Sequence, residues 1–114
     1  MTKVTIYHNP RCSKSRKALQ LLQEKGCDVT AVQYLKTPPS KQDIKNILMM
    51  LDLCATDLVR KSEGLYKTLN LQAATGALLI QAMAENPVLI ERPIVIAKGK
   101  AVIARPPETA LSIV

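Results

Sequence analysis

The stretch YHNPRCSKSR, residues 7–16, sets one cysteine, Cys12, between a histidine, His8, and three cations, Arg11, Lys14 and Arg16, with Ser13 and Ser15 interleaved. A cysteine is chemically useful as its thiolate, which is both nucleophile and metal ligand. Neighbouring cations, or a place at a helix N-terminus, lower a thiol pKa from about 8.5 into the range of about 3.5–7.5. Such a shift would make Cys12 a nucleophile at neutral pH. The bland alternative is a buried, inert cysteine packed as a small hydrophobe, and the polar residues on both sides argue against it.

Spacing narrows the chemistry further. A cysteine-phosphatase loop needs its arginine where this chain has Ala18, and Arg16 comes too early. A dithiol redox site reads C-x-x-C, but its second position here is Ser15. Zinc sites are built from clustered ligand pairs. His8 and Cys12 have no second pair near them, and Cys27 and Cys54 are distant, so no metal is expected. What remains is a single-thiol nucleophile, with Ser15 one helical turn on as a possible hydrogen-bond donor. Cys27 and Cys54 read as packed small side chains rather than resolving thiols. His8 is equally compatible with tuning the thiolate and with an ordinary satisfied histidine.

The elements around Cys12 must bring it to a helix end. KVTIY, residues 3–7, alternates and is β-branched, which predicts a strand. Asn9-Pro10 interrupts it. Ala18, Leu19, Leu21 and Leu22 share a face between Ser13 and Lys25, and Gly26 follows as a stop, so a helix is expected there. DVTAVQYL, residues 28–35, reads as a second strand, completing a parallel βαβ unit. Cys12 would then cap the helix, over free N–H groups that carry partial positive charge.

Downstream, Ser40 and Asp43 give a capping-box signature ahead of Ile44, Ile47, Leu48 and Leu51, an inward helical stripe. A short helical turn is expected at 57–61, and a helix from about Thr75 to Glu85. PIVIA (93–97) and AVIA (101–104) are strands joined by KGK, a tight hairpin with Gly99 at its turn. PPETALSIV reads as a terminal helix. The order β-α-β, helical middle, β-β-α predicts an α/β, thioredoxin-like fold with a central mixed four-stranded sheet. We expect a single domain, 1–114, with a helical insertion at about 40–86. Pro93 stands at the start of the third strand, where that fold places a proline facing the active cysteine.

Composition sets the outer bounds. The chain has 114 residues, enough for one core without staples. Hydrophobic residues make up 47% with neither Trp nor Phe, so aliphatic side chains must fill that core. No apolar run approaches the roughly 20 residues of a membrane span, and the N-terminus lacks a secretory pattern. An odd number of cysteines without framework spacing suits a reducing cytoplasm. The net charge of +7 favours an anionic ligand. The basic residues are scattered and not interleaved with the three tyrosines, so no direct nucleic-acid contact and no membrane contact are expected.

YHNPRCSKSR resembles the H-N-P-x-C-x-x-S-R loop of the ArsC family, the glutaredoxin-coupled arsenate reductases. The likeness continues in order through YLKTPPS, LVRKSE, NPVLIERPIVI and ARPPE. It implies a thioredoxin-like fold in which Cys12 attacks arsenate, with His8 and Ser15 favouring the thiolate. Arg60, Arg92 and Arg105 fall on the family's three arginines and would bind the oxyanion, for which planar, permanently charged guanidinium forks are well suited. Glutathione would act as reductant without being a bound cofactor, and glutaredoxin would clear the resulting mixed disulfide. With no extension after Val114, the chain is expected in the short YfgD-like branch, which leaves another oxyanion or a glutathione mixed disulfide open as substrate. The Spx regulators share the fold and bind RNA polymerase, but carry a C-x-x-C switch. Ser15 and the three arginines favour the enzyme over such a regulator.

Overall fold

The computed structural model describes residues 1–114, which divide into two compact units. The first, residues 1–37 and 92–114, holds the sheet. Its strands are β1 (Lys3–Tyr7), β2 (Asp28–Val32), β3 (Ile94–Ala97) and β4 (Lys100–Ile103), in the order β2-β1-β3-β4. β1 runs parallel to β2 and antiparallel to β3, and β3 is antiparallel to β4. This is the expected mixed sheet.

Helix α1 (Ser13–Glu24) makes the crossover from β1 to β2. Its end is a Schellman motif: Gly26 takes φ +82°, its N–H donates to Gln23, and the Cys27 N–H donates to Leu22. The Asp28 N–H then bonds the Thr2 carbonyl and starts the β2 pairing. The second strand is shorter than the 28–35 expected. The Gln33 carbonyl accepts from both Lys36 and Thr37, each at 2.9 Å, and the resulting turn stops the ladder at Val32.

Val4, Ile6, Val95 and Ala97 pack with Ala18 and Leu22 of α1, and with Ala104 and Ala110, in one buried cluster. Half-buried Cys27 joins its edge, as expected of a small packed side chain. The C-terminal run Pro107–Ile113 is helical, but as a 3₁₀ helix whose bonds close over three residues. The β3–β4 loop is two residues long rather than three. Lys98 and Gly99 both take positive φ, +56° and +74°, the requirement of a type I′ turn. β4 accordingly begins one residue earlier than expected, at Lys100 paired to Ala97, whereas β3 ends at Ala97 as expected and starts one residue later.

The second unit, residues 38–91, contains α2 (Lys41–Leu51), α3 (Ala55–Leu58), α4 (Gly64–Thr68) and α5 (Gly76–Glu85). Short 3₁₀ turns at Leu71–Ala73 and Pro87–Leu89 complete it. The Ser40–Asp43 capping box is closed in both directions at 3.0 Å. Ile44, Ile47 and Leu48 are buried, whereas Leu51 is only half-buried. The turn expected at 57–61 begins earlier, at Ala55, because the Asp57 carboxylate accepts from the Cys54 N–H at 3.0 Å. Cys54 is exposed at that cap and not packed, a correction to the sequence reading. Beyond α3, Val59 leaves helical geometry to bridge Ile90.

Leu22 is fully enclosed where α1 meets the sheet. Leu22→Ala is expected to lower unfolding stability by about 2–5 kcal/mol, through lost transfer energy plus a residual cavity. A urea titration shifting by less than that range would mean this cluster is not the main core.

Candidate active site

The strand register gathers the candidate residues of the sheet unit at one end. Tyr7, Val32, Ile94 and Ile103 are neighbours across the four strands. His8 therefore leaves β1 where Arg92 and Pro93 lead into β3 and Arg105 leaves β4. The Lys98-Gly99 turn lies at the opposite end. The His8 N–H extends the β1–β2 pairing by one bond, to the Val32 carbonyl at 2.8 Å. The peptides before Pro93 and Pro106 are both cis, and the Pro93 carbonyl accepts from the Ala104 N–H at 2.8 Å.

The loop from His8 to Cys12 is tied to the helix it precedes. Asn9 makes an Asx-type turn, its Oδ1 accepting from Arg11 N–H and its carbonyl from Cys12 N–H, both at 3.0 Å. Ser15 reaches back from the first turn of α1, and its Oγ accepts from the Asn9 N–H at 3.0 Å. Arg16 Nη1 donates to the Pro10 carbonyl at 2.9 Å. These clamps set Cys12 at the N-cap in extended conformation, with no acidic side chain in the first helical turn to offset the dipole.

Ser15 is completely buried, and its Oγ lies 2.6 Å from His8 Nδ1. The hydroxyl that accepts from Asn9 still has one hydrogen to give, and a neutral imidazole with an unprotonated Nδ1 would take it. The surroundings favour that state: burial lowers the His8 pKa, and the nearby positive charge of Arg16 lowers it further. The side chain of Ser15 thus fixes the loop and the histidine.

Opposing influences act on Cys12. Burial pushes its thiol upward, but the Ser15 N–H, the charge of Arg92, the Lys14 N–H and a hydrogen bond from the Arg92 side chain together pull it below the ordinary thiol value. The backbone groups act here as the helix-end dipole, since no capping bond to the side chain is closed. The helix end was legible in the sequence, but the effective cation was not. Among Arg11, Lys14 and Arg16, no side chain contributes to the shift. Arg16 instead serves His8 and the Pro10 carbonyl. Arg92 reaches Cys12 through strand pairing, which no local count of charges reveals.

Arg92 is also incompletely satisfied. Its Nε and Nη1 are buried without hydrogen-bond partners, which is costly for guanidinium donors unless a ligand completes them. Arg105 is exposed at the same end of the sheet. Arg60 belongs to the helical unit and is already engaged there. Its Nη1 lies 3.5 Å from Glu63 and its Nε 3.3 Å from Glu91, the latter an ion pair without hydrogen-bond alignment. Its N–H also bonds the Leu89 carbonyl. Sequence reasoning missed Asn9, whose place before a proline signals a turn.

The sequence profile of the ArsC family matches residues 7–113. The Escherichia coli K12 protein named uncharacterized protein YfgD is 52% identical over all of this chain and 99% of its own. An arsenate reductase of Neisseria meningitidis serogroup A is 46% identical over 95% of both chains. The solved structure of an arsenate reductase from Vibrio cholerae superposes with a TM-score of 0.96 at 45% identity, covering 99% of this chain and 98% of its own.

The lowered His8 pKa makes stability depend on pH. The unfolded histidine takes up its proton near pH 6.5, the folded one only at lower pH. The contribution is therefore complete above about pH 6.5 and lost as pH falls through the folded value. Urea midpoints are expected to drop as pH falls below about 6.5. His8→Asn, which keeps a polar atom near the Nδ1 position, should flatten that limb. An equally steep slope in the variant would assign the dependence to another group.

Proposed function

The chain belongs to the ArsC family, and we propose that it reduces arsenate to arsenite with Cys12 as nucleophile. The observation that carries this reading is the Arg92 guanidinium. With the Ser15 N–H it lowers the pKa of Cys12, and it keeps two buried, unpartnered nitrogens for an anion. A thiolate and an oxyanion repel each other, and a fixed cation between them offsets that repulsion. Arg105 is proposed to add to the grip on arsenate. Arg60 falls on one of the three arginines of the family motif, but within the helical unit it is engaged by Glu63 and Glu91, whereas Arg92 has unfilled donors.

In the proposed sequence, the thiolate attacks arsenic and an arsenate oxygen leaves as water after protonation, giving a sulfur–arsenic(V) adduct. Glutathione thiolate then attacks the Cys12 sulfur. The S–As bond breaks with its electron pair on arsenic, which departs as arsenic(III), and a Cys12–glutathione disulfide forms. Glutaredoxin thiol attacks that disulfide and restores Cys12. His8 and Ser15 act as positioning residues that hold the loop and the Ser15 N–H against the sulfur. The Spx-like alternative lacks its second thiol, since Ser15 stands there with its hydroxyl bonded to His8 and Asn9.

Purified protein supplied with arsenate, glutathione and glutaredoxin is expected to form arsenite, and Cys12→Ser to abolish turnover. Arg92→Gln should lower kcat/KM by roughly 10²–10³-fold, the scale for removing a preorganised charged donor. Wild-type turnover no higher than the Cys12→Ser background would end the arsenate assignment.

A further inference from the structure

A cavity of about 320 Å³ opens beside the Cys12 loop, lined among others by His8, Pro10, Arg11, Gln33, Leu35 and Lys36. That volume is at the lower end for small-molecule sites. It lies where the loop after β1 meets the loop after β2. In the sheet order β2 is on one side of β1 and β3 on the other. The cavity therefore lies on the β2 side of the loop that leads into Cys12, bordered by that loop up to Arg11 and not by Cys12 itself, while Arg92 enters from the β3 side.

The lining chemistry is specific. Arg11 and Lys36 are exposed cations with no ion-pair partner, and no acidic residue borders the cavity. Gln33 adds an amide, and half-exposed Leu35 an apolar wall. These features suit a small peptide with carboxylates at its ends and a short apolar middle. Glutathione has two carboxylates, one ammonium group and a thiol between them.

Displacement at sulfur also has a directional requirement. The incoming sulfur, the attacked sulfur and the leaving atom lie in one line, so the reductant enters opposite the atom it displaces. Arsenic held on the Arg92 side leaves the β2 side for the attacking thiol. We infer that the cavity between His8 and Lys36 is the glutathione subsite, with Arg11 and Lys36 binding its carboxylates. This rests on Cys12 being the thiol that carries arsenic, and it assigns the two reactants to opposite faces of the sulfur.

The subsite can be tested without arsenate. Cys12 thiolate attacks oxidised glutathione, forming the Cys12–glutathione disulfide and releasing one glutathione thiolate. The uncharged comparison is 2-hydroxyethyl disulfide, which reacts with the same sulfur but carries no carboxylate. Arg11→Gln and Lys36→Gln are each expected to slow reaction with oxidised glutathione by about two- to fivefold, the range of an exposed ion pair. Their rates with 2-hydroxyethyl disulfide should match wild type. Equal slowing with both disulfides, or slowing with neither, would overturn the subsite. A Lys36→Gln variant that raises the glutathione KM in the arsenate assay, with the arsenate KM unchanged, adds support. Loss of arsenate turnover in wild type beside a normal charge effect on disulfide exchange would instead separate failure of the arsenate reading from failure of the subsite.

Discussion

The sulfur of Cys12 beside the guanidinium of Arg92 is the interaction on which the rest of the active end depends. A sulfur anion in a half-buried loop is disfavoured by lost hydration, and burial does push this thiol upward. Two sources of positive charge reverse the balance: N–H groups at the start of α1, and a side chain brought in from the edge of β3. Neither is adjustable in the manner of a titrating group. Arginine stays charged at any working pH, and the helix end is fixed by its backbone. The charge environment of Cys12 is therefore in place before any ligand arrives.

The fold supplies both sources through its topology. The β1–α1 junction aims a helix N-terminus at the cysteine, as parallel crossovers naturally do at the ends of their strands. The antiparallel β3–β4 hairpin then returns the chain so that Arg92 and Arg105 emerge at the same end as His8. The tight Lys98-Gly99 turn fixes that register, because a slipped hairpin would move both arginines relative to the sulfur. The Ser15 hydroxyl locks the remaining degree of freedom, the path of the loop from His8 to Cys12.

Much of this was legible in the sequence, for identifiable reasons. The first strand, the α1 helix with its glycine stop, the Ser40 capping box and the Gly99 hairpin are local signals, and each formed close to where its pattern lay. The motif itself singled out Cys12, the proposed nucleophile. What the sequence hid was non-local. Nothing near Lys36 or Thr37 announces that both will bond the Gln33 carbonyl and shorten β2. Asp52 adopts φ +56° and caps α2 in a place usually given to glycine. Counting charges around Cys12 pointed to Arg11, Lys14 and Arg16, whereas the cation that matters arrives by strand pairing. Arg60 shows the converse: a recognisable motif arginine whose acidic partners, Glu63 and Glu91, appear only in three dimensions.

The central claim is that Arg92 both lowers the Cys12 pKa and keeps donors free for an oxyanion. Ultraviolet thiolate absorbance, titrated with pH in wild type and Arg92→Leu and corrected with Cys12→Ser, reads the first half directly. Wild-type Cys12 is expected to ionise below the free-cysteine value, and its pKa to shift upward in Arg92→Leu. A wild-type titration at the ordinary thiol value, or an unchanged curve in the variant, would contradict it.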